Sequence, residues 1–396
     1  MSRLWMVPNL LLLLLGWIAC SQQQASLKSL VDQQLSRACS SYDAMAAVGK
    51  DNPEIARSFS ADGKMIYAPS HWWTSGFIPG SLWYLYEYDR QPDRLANARL
   101  FTAKVEKEKY NRNTHDLGFM LYCSFGNGYR LTQDPSYREV LLIGAQSLIT
   151  RFNPKVGCIQ SWNSRNNWQF PVIIDNMMNL EFLWNVFKMT GDSTYARICL
   201  SHADNTIKNH YRPDYSCYHV VSYDTLTGQV QVKNTHQGAF DESAWARGQT
   251  WGLYGFTMLY RESGLARYLN QAEQVADFLI HHKNMPADGI PYWDFDAPAI
   301  PNEERDASAA AIMASALIEL STMVEPSKGQ SYLSFAEKQL RTLSSKTYFA
   351  EQGTNGHFLL KHGVGHKPGK SEVDVPLTYA DYYYIEALMR MRNLVK

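Results

Sequence analysis

The chain has no net charge: 38 Lys and Arg balance 38 Asp and Glu across 396 residues. A broad nucleic-acid footprint needs a strong basic excess, so that class of partner is excluded. Any acidic ligand must be held by a few local cations. Cysteine is scarce as well. Beyond Cys20 there are Cys39, Cys123, Cys158, Cys199 and Cys217, odd in number, irregularly spaced and without a CxxC. They offer no disulfide framework to read, and most are expected to be small buried apolar residues. A Gly-rich phosphate loop with a Lys, a Ser nucleophile elbow and a Cys–His zinc spacing are all missing. After Cys20 no apolar run approaches the roughly 20 residues that cross a bilayer. No linker-like stretch splits the chain.

What is present begins at the N-terminus. Arg3 supplies a positive charge, an apolar run covers Leu10–Leu15, and Gly16-Trp17-Ile18-Ala19 leads to Cys20. A basic start, a short apolar stretch and small residues before a cut site read as a secretory signal over 1–19. Cys20 then becomes the lipidation site, which implies a periplasmic protein anchored by lipid. Residues 20–396 are expected to form a single catalytic domain. Apolar residues make up 45% and charged residues 19% of the chain, enough to bury a sizeable core, and aromatics reach 13%. Aromatic faces stack on sugar rings, although core packing accounts for most of them.

One turn motif recurs. Thr190-Gly191-Asp192-Ser193-Thr194-Tyr195 and Thr132-Gln133-Asp134-Pro135-Ser136-Tyr137 each separate two apolar-periodic segments, with looser copies near 90–95, 263–268 and 326–331. Gly suits the left-handed position that ends a helix, and Asp caps the next one. A helix–turn–helix unit repeating beyond 40 residues indicates a stacked helical array. Apolar helices are expected near 78–89, 116–131, 175–189, 242–261, 306–323 and 377–392. Amphipathic ones are expected near 26–47, 94–107, 136–151, 194–209, 265–282 and 331–344. Six inner and six outer helices predict an all-α (α/α)6 barrel. Segments 153–174, 211–240, 284–305 and 346–376 would be loops and short β-hairpins gathered at one mouth.

Asp116, Asp175, Asp241 and Asp306 each fall near the start of an inner helix. Asp is a preferred N-cap, which explains any one of them. In a toroid, however, these starts converge, and several carboxylates facing one cleft suit glycosidic chemistry. Close carboxylates repel, so one has its pKa raised and stays protonated as a general acid. Two contexts stand out: Asn113-Thr114-His115-Asp116-Leu117-Gly118-Phe119-Met120 and Val172-Ile173-Ile174-Asp175-Asn176-Met177-Met178-Asn179-Leu180-Glu181.

These two stretches resemble the catalytic Asp motifs of the unsaturated glucuronyl hydrolases, glycoside hydrolase family 88. Trp73-Thr74-Ser75-Gly76-Phe77, Ser243-Ala244-Trp245-Ala246-Arg247-Gly248-Gln249-Thr250-Trp251, Gly289-Ile290-Pro291-Tyr292-Trp293-Asp294-Phe295 and Asp381-Tyr382-Tyr383-Tyr384 match that family in order. The resemblance implies a substrate ending in a 4,5-unsaturated uronic acid, from lyase-cut chondroitin, heparin or hyaluronan. It implies hydration of the C4=C5 enol ether, with Asp175 protonating C4 and Asp116 beside it contacting sugar hydroxyls and tuning the donor. No cofactor is implied. His219 and Gln237 resemble positions that touch sugar hydroxyls.

The residues add further candidates. Arg247 offers a fork for the uronate carboxylate, and Trp251 lies four residues on, on the same helix face. Trp73, Trp251 and Trp293 are candidate stacking walls. In the loop Lys361-His362-Gly363-Val364-Gly365-His366-Lys367-Pro368-Gly369-Lys370-Ser371, Lys370 and Ser371 are candidates to hold a sulfate. A metal at His362 and His366 is disfavoured, because a Gly-rich loop holds ligands loosely. Gly248, Gly252 and Gly255 form a stripe suited to close helix packing. The alternatives are an unsaturated rhamnogalacturonyl hydrolase acting on pectin fragments, an inverting glycosidase on saturated chains, and a non-catalytic glycan-binding lipoprotein.

Overall fold

A computed structural model describes residues 7–165 and 167–395, with the side chains of the first helix described from Leu27 on. Residues 1–6 of the expected signal segment 1–19 lie outside the described residues, and its remainder and Cys20 are described in backbone only. Twelve α-helices are described: α1 (Val7–Gly49), α2 (Phe77–Asp89), α3 (Pro92–Ala103), α4 (Asn127–Thr132), α5 (Pro135–Ile149), α6 (Leu180–Thr190), α7 (Ser193–His210), α8 (Ala246–Ser263), α9 (Ala266–His281), α10 (Ala307–Leu320), α11 (Pro326–Leu343) and α12 (Thr378–Leu394). The even-numbered helices form a closed inner ring, in which α8 and α12 flank α10 and α12 packs back on α2. The odd-numbered helices lie outside it. The protein is an (α/α)6 barrel.

Composition explains which helices go inside. Every residue of α10 except Glu319 is buried, and its Ala-Ser sequence lets neighbouring helices approach closely. A Cβ on Gly252 would overlap the Tyr211 hydroxyl, and one on Gly255 would meet Met177, so the α8 glycines serve packing. Outer helices α9 and α11 instead keep a polar face.

The repeated turns work as caps. Gly191 takes φ 75° and its N–H returns to the Phe187 carbonyl at 2.8 Å. Asp192 then accepts from the Thr194 N–H at 2.9 Å. At the equivalent turn Gln133 adopts φ 55° and Asp134 accepts from Ser136 N–H at 3.0 Å. Segment 326–331 departs from this pattern. Pro326 occupies the first turn of α11, so the stretch read as a turn is already helix.

Two inner helices are irregular where they reach the mouth. Gly118–Gly126 winds as a π-helix before α4, and Ile174–Asn179 forms a 3-10 turn before α6. Such departures often accompany functional sites. Among the described residues, nine short strands lie in the segments between helices. β1 (Ile55–Phe59) pairs with β2 (Met65–Ala68), a hairpin that periodicity did not suggest. β3 (Phe152–Asn153) pairs with β4 (Cys158–Ile159). β5 (Pro171–Ile173), β6 (Val220–Tyr223) and β7 (Val230–Asn234) form a three-stranded antiparallel sheet. β8 (Gly363–His366) and β9 (Ser371–Val375) close the set. Segment 284–305 contains only isolated bridges among the described residues, such as Trp245 with Asp294. The five cysteines from Cys39 on are all buried and unpaired.

Candidate active site

Segments that precede the inner helices line a cavity of about 310 Å³. Of the four Asp near inner-helix starts, two reach it. Asp306 is the N-cap of α10, accepting from Ser308 N–H at 3.0 Å. Asp241 lies in the loop before α8, which begins only at Ala246, and accepts from Thr235 N–H at 2.9 Å. Asp116 and Asp175 line the cavity.

The sheet places Asp175. In the β5–β6 register Ile173 pairs with Val220, and the Ile174 N–H bonds the His219 carbonyl at 3.0 Å. Asp175 and His219 therefore emerge side by side, with His219 Nε2 3.6 Å from Asp175 Oδ2. The Nδ1 of His219 accepts from the backbone N–H groups of His236 (3.0 Å) and Gln237 (3.1 Å). Burial drives the His219 pKa well below its usual value. The neutral ring then carries its proton on Nε2, aimed at Asp175. At 3.6 Å this is not a hydrogen bond, and Asp175 Oδ2 has no partner.

Burial raises the Asp175 pKa to about 7. Arg247 opposes the shift and the negative charge of Asp116 adds to it. The Trp251 indole N–H lies close enough to favour the anion without completing a hydrogen bond. Asp116 is also raised to about 7 by burial, against Thr114 and Arg151. Its Oδ2 accepts from the Thr114 hydroxyl at 2.7 Å, and its Oδ1 lies 3.2 Å from Nε2 of His115. His115 is itself held near 3 by burial, so it is neutral. The cavity thus presents two carboxyl groups whose pKa values burial raises to about 7, one with an open oxygen.

The other sequence candidates divide. Trp73 lines the cavity and packs on Tyr379, ring centroids 4.8 Å apart. Gln237 lines it too, its amide donating to the Gly365 carbonyl at 2.9 Å. Ser371 lines it from β9. Lys370 is exposed at the hairpin turn and does not line the cavity.

Three expectations need correction. Arg247 lines the cavity, but both of its Nη atoms are already engaged. Nη1 donates to Asp306 at 3.0 Å and to the Val364 carbonyl, and Nη2 donates to Gly365 O at 2.6 Å. It clamps α8 to α10 and β8 through three of its five N–H groups, and its buried Nε has no partner. Trp251 is fully buried, one turn deeper, against Phe119 and Tyr383; a rise of about 1.5 Å per residue carries it below the cavity floor. Trp293 is also buried, its indole N–H on Glu303 at 2.8 Å, and does not line the cavity. His362 and His366 face different partners, Asp374 and the His236 carbonyl.

Residues absent from the sequence candidates complete the walls: Arg57, Trp72, Trp162, Arg165, His236 and Glu372, with Tyr379 at the start of α12. The run Ser161-Trp162-Asn163-Ser164-Arg165, with Trp168 just beyond, carried a readable signal of an Arg among indoles. Arg57 carried none, because its hairpin was not foreseen.

Comparison with known proteins agrees with this geometry. The profile of Glycosyl Hydrolase Family 88 matches residues 53–393. An unsaturated glucuronyl hydrolase of Formosa agariphila is 46% identical over 353 residues, 88% of this chain and 86% of the relative. An unsaturated chondroitin disaccharide hydrolase of Streptococcus pneumoniae is 33% identical over 324 residues, 80% of this chain and 81% of that one. The crystal structure of an unsaturated glucuronyl hydrolase specific for heparin superposes with a TM-score of 0.90 at 48% identity, covering 92% of this chain and 98% of that one. The chain belongs to glycoside hydrolase family 88.

Proposed function

We propose that the protein releases 4,5-unsaturated uronic acid from the non-reducing end of lyase-generated glycosaminoglycan disaccharides. The observation that carries this reading is Asp175. It is a buried carboxyl with its pKa raised to about 7 and one oxygen unpartnered, at the wall of a cavity it shares with Asp116. Protonated Asp175 delivers its proton to C4 of the enol ether, leaving cationic character at C5 and the ring oxygen. The resulting carboxylate then takes a proton from water as its oxygen bonds to C5. The hemiketal opens between C5 and the ring oxygen, and C1, now a hemiacetal, expels the aglycone as an alcohol. Asp116, as the anion, keeps the proton on its neighbour and accepts from sugar hydroxyls. His219, which does not itself line the cavity, aims its N–H at Asp175.

Trp73, Gln237 and Ser371 face the sugar in this reading. Arg247 acts as a positioning residue, and Trp251 supports the Asp175 carboxylate from below. Relatives named for chondroitin disaccharides and for heparin support a glycosaminoglycan substrate. Export through the 1–19 signal and lipid attachment at Cys20 would place the enzyme in the periplasm, beside incoming lyase products; a Cys20→Ser variant that still partitions with membranes would refute the anchor.

The test is ultraviolet absorbance of the conjugated C=C during incubation with unsaturated heparin and chondroitin disaccharides. Loss of absorbance with release of the amino sugar is expected. Loss only with unsaturated rhamnogalacturonan disaccharide would assign the activity to pectin fragments. Binding without turnover would leave a glycan-binding protein.

A further inference from the structure

Three arginines reach the cavity wall, and two of them are already neutralised. Arg57 pairs with Glu372 at 3.2 Å, and Arg247 with Asp306 at 3.0 Å. Arg165 differs. Among the described residues it meets no carboxylate, and its side chain makes no hydrogen bond within the protein. Its guanidinium is nevertheless held in place, 4.5 Å from the ring centroid of Trp162 and 5.7 Å from that of Trp168. The backbone beneath it is fixed by reciprocal hydrogen bonds between Arg165 and Trp168, at 3.1 and 3.0 Å. Trp168 is anchored in turn by its indole N–H on Asn234 at 2.8 Å.

Arg165 also stands on a boundary. It lines the catalytic cavity and, on its other side, an open groove of about 600 Å³ walled by Ser164, Asn167, Trp168, Gln169 and Gln231. Amides, a hydroxyl and an indole face are the chemistry of sugar recognition. Gln169 and Gln231 are already joined at 2.7 Å, which presets that wall.

We propose that Arg165 reads an anionic group on the reducing side of the bond that is cleaved, where the substrate leaves the cavity for this groove. The inference rests on the reading of the substrate given above. A guanidinium already stacked on indoles has lost much of its rotamer freedom, and its N–H fork matches the oxygens of a sulfate ester or carboxylate. The two sources lie at different distances. A sulfate would sit on the amino sugar of a disaccharide, whereas a carboxylate would belong to the next uronate of a tetrasaccharide.

The experiment compares kcat/KM of the wild type, Arg165→Met and Arg165→Lys on matched unsaturated substrates: sulfated and unsulfated disaccharides, and an unsulfated tetrasaccharide. In Arg165→Met the preference for the anionic member of a pair should fall about ten-fold, mainly through KM. Arg165→Lys should recover part of it, and rising salt should erase the difference between wild type and Met variant. A drop confined to the sulfated disaccharide identifies sulfate; one confined to the tetrasaccharide identifies carboxylate. Unchanged preferences in both pairs, or equal losses on every substrate, would overturn the proposal. An inactive wild type would instead refute the substrate reading itself. Because the Arg165 side chain makes no hydrogen bond or ion pair among the described residues, little change in thermal melting is expected for both variants.

Discussion

Two sets of buried carboxylates occupy the same barrel and behave differently. Glu386 lies about 10 Å further along α12 than Tyr379 of the cavity, at 1.5 Å per residue. One of its oxygens accepts from the hydroxyls of Tyr84 (2.8 Å) and Tyr254 (3.0 Å), and the other from Ser315 (2.6 Å). Beyond it, Arg261 bridges Glu181, Glu262 and Glu319, and Arg390 bridges Glu319. At the mouth, Asp175 is as deeply placed yet leaves an oxygen without a partner. Burial alone does not distinguish the two regions. What distinguishes them is their partners: Arg261 and Arg390 contact the deep carboxylates directly, whereas Asp175 keeps an oxygen without a hydrogen-bond partner and burial holds its pKa up, leaving a proton to transfer.

The contrast can be broken most forcefully at Asp175. Asp175→Asn should lower kcat about 10³-fold, the scale of a lost general acid, while disaccharide binding by calorimetry persists. Near-normal turnover would place the acid elsewhere. At the other region, Glu386→Ala strands three hydroxyls and the nearby Arg390. It should cost about 3–5 kcal/mol of stability, seen as a lower melting temperature, while kcat well below that temperature stays within a few-fold of wild type. A collapse of kcat in properly folded enzyme would show that the deep cluster takes part in the chemistry.

The smallest effect concerns pH and stability. Asp175 titrates near 7 in the folded protein and near 3.8 by its ordinary value. Below 3.8 both states hold the proton and the site is neutral to stability. As pH rises from 3.8 to 7 the unfolded chain releases its proton while the folded site keeps its own, so stability is lost across that window and levels off above 7. Asp175→Asn should therefore melt higher than wild type at pH 8, with the gain fading toward pH 4. A gain independent of pH would mean that packing, not charge, separates the two regions.

The helices were legible because turn chemistry and all-round apolarity are local signals. Gly191 with Asp192, and the Ala-rich α10, could take few other forms. Asp116 and Asp175, which line one cavity, were legible through their flanking sequence. The fates of Arg247, Trp251 and Trp293 were not. A shared helix face places residues in line, but depth below the mouth and competition from the Val364 and Gly365 carbonyls arise only when β8 folds over α8. Arg57 and Glu372 meet across 315 residues of chain, and no periodicity encodes such a pair.

In the proposed mechanism Asp175 protonates C4 from one face before the aglycone leaves. The most direct measurement is turnover in deuterium oxide, with proton NMR of the released keto acid over the first turnovers. Deuterium in a single one of the two C4 positions, appearing together with free aglycone and absent with Asp175→Asn, is the predicted result. Aglycone release that precedes loss of the C=C absorbance, with deuterium spread over both positions, would mean direct cleavage at C1 and contradict the account.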